Sequence, residues 1–269
     1  MTTRQWKGHW VNCNKIPGAS YNGVAQARYS SHAPYLRGVF NLASVPKNAT
    51  AYVCAPGWHE VYVNGHKVDD RVLAPTVTEF DHHVSYLEYD IAHLLRPGKN
   101  AIVLLLGSGW FNCTTREVWQ FYNAPWRNDP MAMVDVVCDG ATVAYSNEEW
   151  KCQNGPITMN SLRNGEDYDY NQEIPGFSEP DFDDSSWYGA QDCNPPGGIV
   201  MKEEIEPCRT FERFSPKRIE KVGASIVYDF GVNMAGFGEI TFESDAPVAE
   251  DALPVKIQYG ERLYDNPDE

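Results

Sequence analysis

The strongest constraint on the fold is a repeated strand–turn–strand pattern, in a sequence that has no comparable pattern for helices. Apolar and polar residues alternate on both sides of Asn64-Gly65 and Asp139-Gly140, two dipeptides that favour tight β-hairpin turns. The continuous apolar run Ala101–Leu106 predicts a buried central strand. We find no stretch of ten or more residues with a sustained 3.6-residue period. The sequence therefore predicts an all-β chain built as a sandwich or jelly roll.

The same patterns predict how the chain is divided. Residues 165–207 are acidic and rich in Pro and Gly, which indicates a connection rather than a core. Strand patterns resume at Ser225–Phe230, Gly238–Phe242 and Val255–Tyr259. These few strands make a poor independent core, so we expect a second β domain that is incomplete or leans on the first. The predicted parts are an N-terminal arm (1–36), a jelly-roll sandwich (37–208) and a partial second sandwich (209–269).

Smaller features give further expectations. Met131–Cys138 and Ala141–Ser146 should be the strands that flank Asp139-Gly140. Asp90–Leu95 could form one helical turn, and Arg96–Asn100 has the composition of a plain turn.

Composition and charge restrict the partners. With 42% hydrophobic and 13% aromatic residues, the chain can bury a core, so wholesale disorder is excluded. A net charge of −15 argues against nucleic acid and anionic membrane surfaces. No apolar run approaches the roughly 18 residues of a membrane helix, and the first ten residues lack a signal-peptide core. We therefore expect a cytoplasmic protein.

The seven cysteines are odd in number and widely scattered, without a Cys-x-x-Cys pair. This spacing predicts free buried thiols, not a zinc site or a disulfide framework. His82-His83 cannot chelate one ion together if they lie on a strand, because adjacent strand side chains point to opposite faces. We expect them on a surface loop and predict no metal site.

Motifs of nucleophilic, phosphate-binding and zinc-dependent enzymes are missing from the sequence. It contains no Gly-x-Ser-x-Gly, Gly-x-x-x-x-Gly-Lys or His-Glu-x-x-His. Gly107-Ser-Gly109 follows the apolar strand, but it lacks the third glycine and the helix of a dinucleotide site. A hydrolase could instead use two carboxylates about 5–10 Å apart. Asp69-Asp70 and Asp181–Asp184 have the composition of turns, so we do not assign them this role.

Two segments are candidates for ligand contact. Trp110–Trp126 places several aromatic rings beside polar side chains, a combination that suits the C–H faces and hydroxyls of a sugar. Asn164–Tyr170 mixes carboxylates with aromatic residues, and we expect a ligand-contacting or interface loop. The alternative for the aromatic rings is packing at the end of the sandwich or against a neighbouring domain. The candidate carbohydrate-binding residues are Trp110, Asn112, Arg116, Trp119, Trp126, Asp129, Glu166 and Asp169.

Several passages occur together in one order along the chain. They are His59–Val68 with Leu73–Pro75, Tyr86–Ile91 with Leu95–Ala101, Leu106–Phe111, Asn164–Asp169, Phe182–Trp187, Tyr228–Phe237 and Gln258–Leu263. In these passages the chain resembles the N-terminal region of bacterial α-L-rhamnosidases, which are inverting glycoside hydrolases. The resemblance runs from about Tyr35 to the end of the sequence.

The resemblance implies a galactose-binding-like jelly roll followed by a second β-sandwich, both preceding a catalytic (α/α)₆ barrel that is absent from this chain. It implies no catalytic residue in this sequence, and it predicts that the chain is a truncated, inactive fragment supporting or positioning substrate for the missing barrel. The implied partners are a rhamnose-containing glycan or glycoside and that catalytic domain. One alternative is an autonomous rhamnose-binding module, for which calcium is the expected ion; without sugar binding, no cofactor is implied. Another is an enzyme in this chain alone.

One departure from the family concerns the aromatic loop. Relatives commonly carry Asn or Asp directly before its Gly-Trp pair, where this chain has Ser108. This difference argues against transferring rhamnose binding to the chain.

Overall fold

The computed structural model describes residues 4–16, 32–113, 119–241 and 254–260, and the chain divides into two units, residues 1–209 and 210–269. The described part of the first unit contains fifteen strands: β1 (Val11–Asn12), β2 (Pro34–Leu42), β3 (Ala49–Cys54), β4 (Trp58–Val63), β5 (His66–Lys67), β6 (His83–Asp90), β7 (Gly98–Gly107), β8 (Met131–Cys138), β9 (Ala141–Tyr145), β10 (Lys151–Asn154), β11 (Ile157–Ser161), β12 (Gly165–Tyr168), β13 (Tyr188–Gly189), β14 (Gln191–Asp192) and β15 (Ile199–Lys202). Short 3₁₀ helices occupy Ala92–Leu94, Phe121–Asn123 and Tyr170–Gln172. Within these ranges, no helix is long and apolar enough to cross a membrane.

Two sheets form a sandwich in the first unit. The first sheet has the order β14-β1-β8-β3-β6-β15, with β9 paired to β8. The second sheet has the order β13-β10-β2-β7-β4-β5, and β11 and β12 form a separate hairpin. The prediction of an all-β sandwich is confirmed.

The core lies between the two sheets. Val61 and Val63 of β4 alternate with partly exposed residues, and Leu104 of β7 is fully buried beside them. Val134 and Val136 of β8 belong to the same buried cluster and come from the opposite sheet. This is the arrangement that period-2 hydrophobicity produces when each sheet turns one face inward.

The N-terminal segment, residues 4–16, contacts the outer face of the first sheet through Arg4 and Gly8. The carboxylate of Asp135 in β8 accepts hydrogen bonds from the backbone N–H of Gly8 (2.8 Å) and from Arg4 Nη2 (3.1 Å). The Arg4 guanidinium lies 3.4 Å from the ring centroid of Tyr52. The next strand, β2, starts at Pro34 and crosses the boundary predicted after residue 36, because residues 34–37 pair with β10. The three-part division of the chain stays a prediction.

The two hairpin predictions are confirmed. Asn64 and Gly65 have φ of 49° and 87° and join β4 to β5, and Asp139 and Gly140 have φ of 46° and 85° and join β8 to β9. Both residues of each turn therefore adopt the left-handed conformation that these dipeptides favour. The buried strand predicted over Ala101–Leu106 lies within β7.

Two predictions about turns and connections need correction. The turn predicted over Arg96–Asn100 is shorter, because Gly98–Asn100 already pair with Phe40–Leu42 of β2. The segment predicted as a connection over residues 165–207 also contributes strands. There, β13, β14 and β15 extend the edges of the two sheets. These strands are two to four residues long and carry mostly exposed side chains, so they show no hydrophobic alternation.

The described residues of the second unit contain one antiparallel hairpin, β16 (Arg218–Val222) and β17 (Ser225–Asp229). The strand predicted over Ser225–Phe230 is confirmed. The strands predicted over Gly238–Phe242 and Val255–Tyr259 are wrong for the described residues 238–241 and 254–260, which form no strand. An alternating pattern becomes a strand only when another strand accepts its hydrogen bonds, and these stretches pair with no described strand.

Candidate functional site

The aromatic residues of the loop between β7 and β8 pack against each other at one end of the sandwich. The ring centroids of Trp110 and Phe121 lie 5.1 Å apart, and those of Phe121 and Trp126 lie 5.9 Å apart. Phe111 is buried and meets Phe80 edge-to-face at 5.3 Å. These separations are those of interacting aromatic pairs, so most rings of this loop have a packing role.

Trp119 differs from the other rings of the loop because 55% of it is exposed. Its ring lies 5.4 Å from Trp110 on one side, and the Arg163 guanidinium lies 4.6 Å from its centroid. A cation over an indole face restrains the ring while leaving the remaining surface accessible. Trp119 therefore presents a positioned, partly open aromatic surface.

The aromatic loop also contains buried polar atoms. Asn112 is only 3% exposed, and within the described ranges its Oδ1 has no hydrogen-bond partner. The buried Nε1 of Trp126 likewise has none among the described residues. Buried polar groups normally find a partner, so these two atoms are suited to a water molecule or to a ligand hydroxyl.

Two other candidate residues of the loop are placed differently. Asp129 is buried and accepts a hydrogen bond from Asn14 Nδ2 at 2.8 Å, which fastens the N-terminal segment to the loop. Arg116 lies outside the described residues.

The hairpin β11–β12 brings the second candidate segment next to the aromatic loop. Asn160 Oδ1 accepts a hydrogen bond from the backbone N–H of Ser108 at 2.7 Å, and Arg163 reaches Trp119 from the turn. Glu166 pairs with Asn160 across the hairpin. Although Glu166 is exposed, partial desolvation and the nearby charge of Glu60 raise the pKa of its carboxyl. The two segments predicted as ligand contacts are thus neighbours in space.

Asp169 belongs to the same segment but has a local structural role. Its carboxylate accepts hydrogen bonds from the backbone N–H of Asn171 (3.0 Å) and from Gln172 Nε2 (2.9 Å). These hydrogen bonds, first that of Gln172, lower the pKa of Asp169. The carboxylate caps the 3₁₀ helix Tyr170–Gln172.

Sequence reasoning missed Asn160 and Arg163, which join the hairpin to the loop. The sequence does contain a signal for this position, because Asn164-Gly165 directly follows Arg163 and favours the tight turn of a β-hairpin. That the turn would meet Trp119 depends on a contact between distant parts of the chain.

The carboxylates of the two remaining acidic clusters either bind nearby backbone N–H groups in turns or pair with arginine side chains. Asp69 accepts a hydrogen bond from the backbone N–H of Arg71 at 3.2 Å, and Asp70 pairs with Arg209. Asp183 accepts one from the backbone N–H of Ser185 at 3.0 Å, and Asp184 accepts one from Arg37 Nε at 2.9 Å. The expectation that these clusters form turns agrees with this geometry.

The exposed segment before β6 holds a small acidic cluster. Ligand atoms of Glu79, Asp81 and His82 lie within 4.8 Å of one another, and all three residues are exposed. His83 begins β6, so His82 and His83 do not share this cluster. Such groupings are common on acidic surfaces, and we assign no metal to this one.

The fold and the candidate site define a β-sandwich module whose aromatic end loop adjoins a projecting hairpin. Residues 44–212 match the α-L-rhamnosidase N-terminal domain family, which covers more than half of the chain. This chain therefore belongs to the α-L-rhamnosidase N-terminal domain family, as the resemblance predicted.

Individual relatives agree with this membership. An α-L-rhamnosidase of Formosa agariphila is 30% identical over 221 residues, which are 76% of this chain and 22% of that protein. The structure of the α-L-rhamnosidase from Dictyoglumus thermophilum matches with a TM-score of 0.73 and 33% identity, over 84% of this chain and 26% of that one. Streptomyces avermitilis α-L-rhamnosidase, solved in complex with L-rhamnose, matches with a TM-score of 0.70 and 27% identity, over 76% and 20% of the two chains. The chain spans about a quarter or less of the length of these relatives.

Proposed function

We propose that this chain is the non-catalytic β-sandwich module of an α-L-rhamnosidase-type glycoside hydrolase, whose reaction is the hydrolysis of terminal α-L-rhamnose from glycosides. In this proposal the module supports or positions substrate for a separate catalytic domain. The observation that carries it is the family match over residues 44–212, which spans most of the sandwich. The short share of each relative that the chain covers also supports it.

The roles of the carboxylates support the non-catalytic part of the proposal. An acid and a base for glycoside hydrolysis must both face the scissile bond. In this chain Asp169 and Asp183 cap turns, Asp184 binds a buried arginine, and Asp129 holds the N-terminal segment. A cytoplasmic location, a bacterial source and the absence of nucleic-acid and membrane partners stay predictions.

The test is a longer protein made from the same gene. If the coding sequence continues beyond Glu269, we expect it to encode a helical domain, and the extended protein should release nitrophenol from an aryl α-L-rhamnoside. Deleting the sandwich from that protein should lower its melting temperature or its activity. An extended protein that hydrolyses other aryl glycosides but not the rhamnoside would overturn the proposed substrate. A deletion without effect on stability or turnover would overturn the supporting role.

A second candidate function is carbohydrate binding by the sandwich itself. The exposed indole of Trp119 favours it, and so does Asn112 Oδ1, which has no hydrogen-bond partner among the described residues, because sugars combine apolar faces with hydroxyl groups. The bound L-rhamnose of the Streptomyces avermitilis relative makes this monosaccharide the first ligand to test.

Sugar binding can be tested by titrating the chain with L-rhamnose, with and without calcium, while following tryptophan fluorescence and heat. The expected result is a saturable signal that Trp119→Ala abolishes. Tyr145→Ala is the control, because it removes a similarly exposed ring from β9. The absence of a heat of binding for L-rhamnose, both with and without calcium, would reject this function.

A further inference from the structure

Two buried cysteines from opposite sheets meet in the core of the sandwich. Cys13 directly follows β1 of the first sheet, and Cys152 lies in β10 of the second. They are 3% and 0% exposed, and both belong to the central hydrophobic cluster. Their Sγ atoms are 2.7 Å apart.

This separation is too short for two unbonded thiols at rest. Non-bonded carbon atoms are most stable about 3.5–4.0 Å apart, and sulfur is larger than carbon. The other hydrogen bonds of the two thiols are weak, because S–H is a poor donor and the distances are long: Cys13 Sγ lies 4.0 Å from the backbone oxygen of Tyr35, and Cys152 Sγ lies 3.9 Å from that of Asn12. A covalent bond between the sulfur atoms relieves the overlap with a small movement of the side chains.

We propose that Cys13 and Cys152 form a disulfide bond that joins the two sheets of the sandwich. The bond links residues 139 positions apart in the chain. It makes these two residues an exception to the expectation of free thiols. Because disulfides persist in oxidising compartments, it also argues against the cytoplasmic location predicted from the sequence.

The reaction needs an oxidant, for which a small disulfide such as glutathione disulfide suffices. One cysteine thiolate attacks that disulfide, forms a mixed disulfide and releases one glutathione thiol. The second cysteine thiolate then attacks the chain sulfur of the mixed disulfide and releases the second glutathione thiol. The chain loses two protons and two electrons, and the oxidant gains both.

Burial determines when this reaction occurs. Desolvation, followed by the contact with Cys152, raises the pKa of Cys13, so the folded protein holds little thiolate there. Exchange therefore requires the N-terminal segment to open or the chain to be still folding. Once formed, the bond is equally shielded from reductants.

The disulfide would stabilise the edge of the first sheet at which β1 joins β14 to β8. Strand β1 is two residues long, yet it lies between β8 and β14 and pairs with both. If β1 leaves, β14 loses the strand with which it pairs. A covalent link one residue after β1 keeps this part of the sheet assembled.

The test is peptide mapping of the full chain, folded with a glutathione redox pair and alkylated under denaturing conditions without a reductant. The expected result is a peptide pair linked through Cys13 and Cys152, with the other cysteines alkylated. Alkylation of all seven cysteines would overturn the proposal. A link from Cys13 to Cys193, a third thiol close enough to influence it, would also overturn it.

Thermal unfolding provides a second readout. The oxidised chain should melt about 5–10 °C above the same chain reduced in denaturant and refolded. Cys13→Ala should abolish this difference, whereas Cys138→Ala, in the same core cluster, should preserve it. Equal melting temperatures of oxidised and reduced wild-type chains would contradict a structural role for the bond.

Discussion

The substitution Asp184→Ala tests how a distant segment is attached to the sandwich. Arg37 of β2 has a side chain that is 0% exposed, and its Nε donates a hydrogen bond to Asp184 at 2.9 Å. Its Nη1 and Nη2 donate to the backbone oxygens of Phe177 (3.2 Å) and Glu179 (2.9 Å). In the alanine variant the buried Arg37 guanidinium keeps these two backbone carbonyls as hydrogen-bond partners but loses the negative charge that neutralises it.

Removing one partner of a buried ion pair costs about 3–5 kcal/mol. Because Asp184 is 24% exposed and water can reach its side of the pair, we expect the lower end, about 3 kcal/mol. Asp184→Asn should cost about 1–2 kcal/mol, because the amide oxygen still accepts a hydrogen bond but carries no charge. With an ordinary slope for urea unfolding, the alanine variant should lower the midpoint by about 1–2 M.

The assay is urea unfolding followed by tryptophan fluorescence, since Trp187 lies in the same segment and its backbone N–H donates to the backbone oxygen of Asp184 at 3.0 Å. Asp181→Ala is the matched control from the same segment. Asp181 forms an exposed ion pair with Arg96 at 3.4 Å, so this change should cost less than about 1 kcal/mol. Equal losses in the two alanine variants would refute the reasoning that the buried charge holds the segment.

Two further predictions concern pH and the hairpin turns. Desolvation lowers the pKa of the buried His59 to about 4, whereas in the unfolded chain this pKa is about 6.5. Between these two pH values the unfolded chain binds one more proton than the folded chain, so the free energy of unfolding falls as the pH falls. His59→Gln should flatten the pH dependence of urea unfolding by up to about 1.4 kcal/mol per pH unit in that window, and parallel wild-type and variant curves would contradict this. Gly140→Ala should lower the free energy of unfolding by about 1–2 kcal/mol, because the φ of Gly140 is 85°, a conformation that strains a residue with a Cβ. An added Cβ there would meet no atom within 4 Å, so backbone strain is the only expected cause of the loss. Gly189→Ala, at an ordinary φ and with ordinary contact distances, is the control, and equal losses would exclude backbone strain as the cause.

The sequence allowed prediction of those features of the fold that depend on neighbouring residues. Asn64-Gly65 and Asp139-Gly140 determine their turns locally, so both hairpins were predictable. The pairing of β15 with β6 was not, because it joins residues far apart and its side chains carry no alternation. The contact between Arg37 and Asp184 likewise depends on the complete fold.

The candidate site shows the same limit. A cluster of aromatic residues was evident in the sequence, but which ring faces solvent depends on what covers it. Phe111 is buried by Phe80, whereas Trp119 stays exposed beside Arg163. Only the packed structure separates the ring that stabilises the loop from the one that could meet a ligand.

The most direct test of the central claim is the hydrolysis of an aryl α-L-rhamnoside by the purified 269-residue chain. Circular dichroism of the same preparation should first establish that it is folded. A non-catalytic module predicts no release of nitrophenol above the rate in buffer alone. Saturable release that substitution of a single carboxylate abolishes would contradict the claim and would show a catalytic site within this chain.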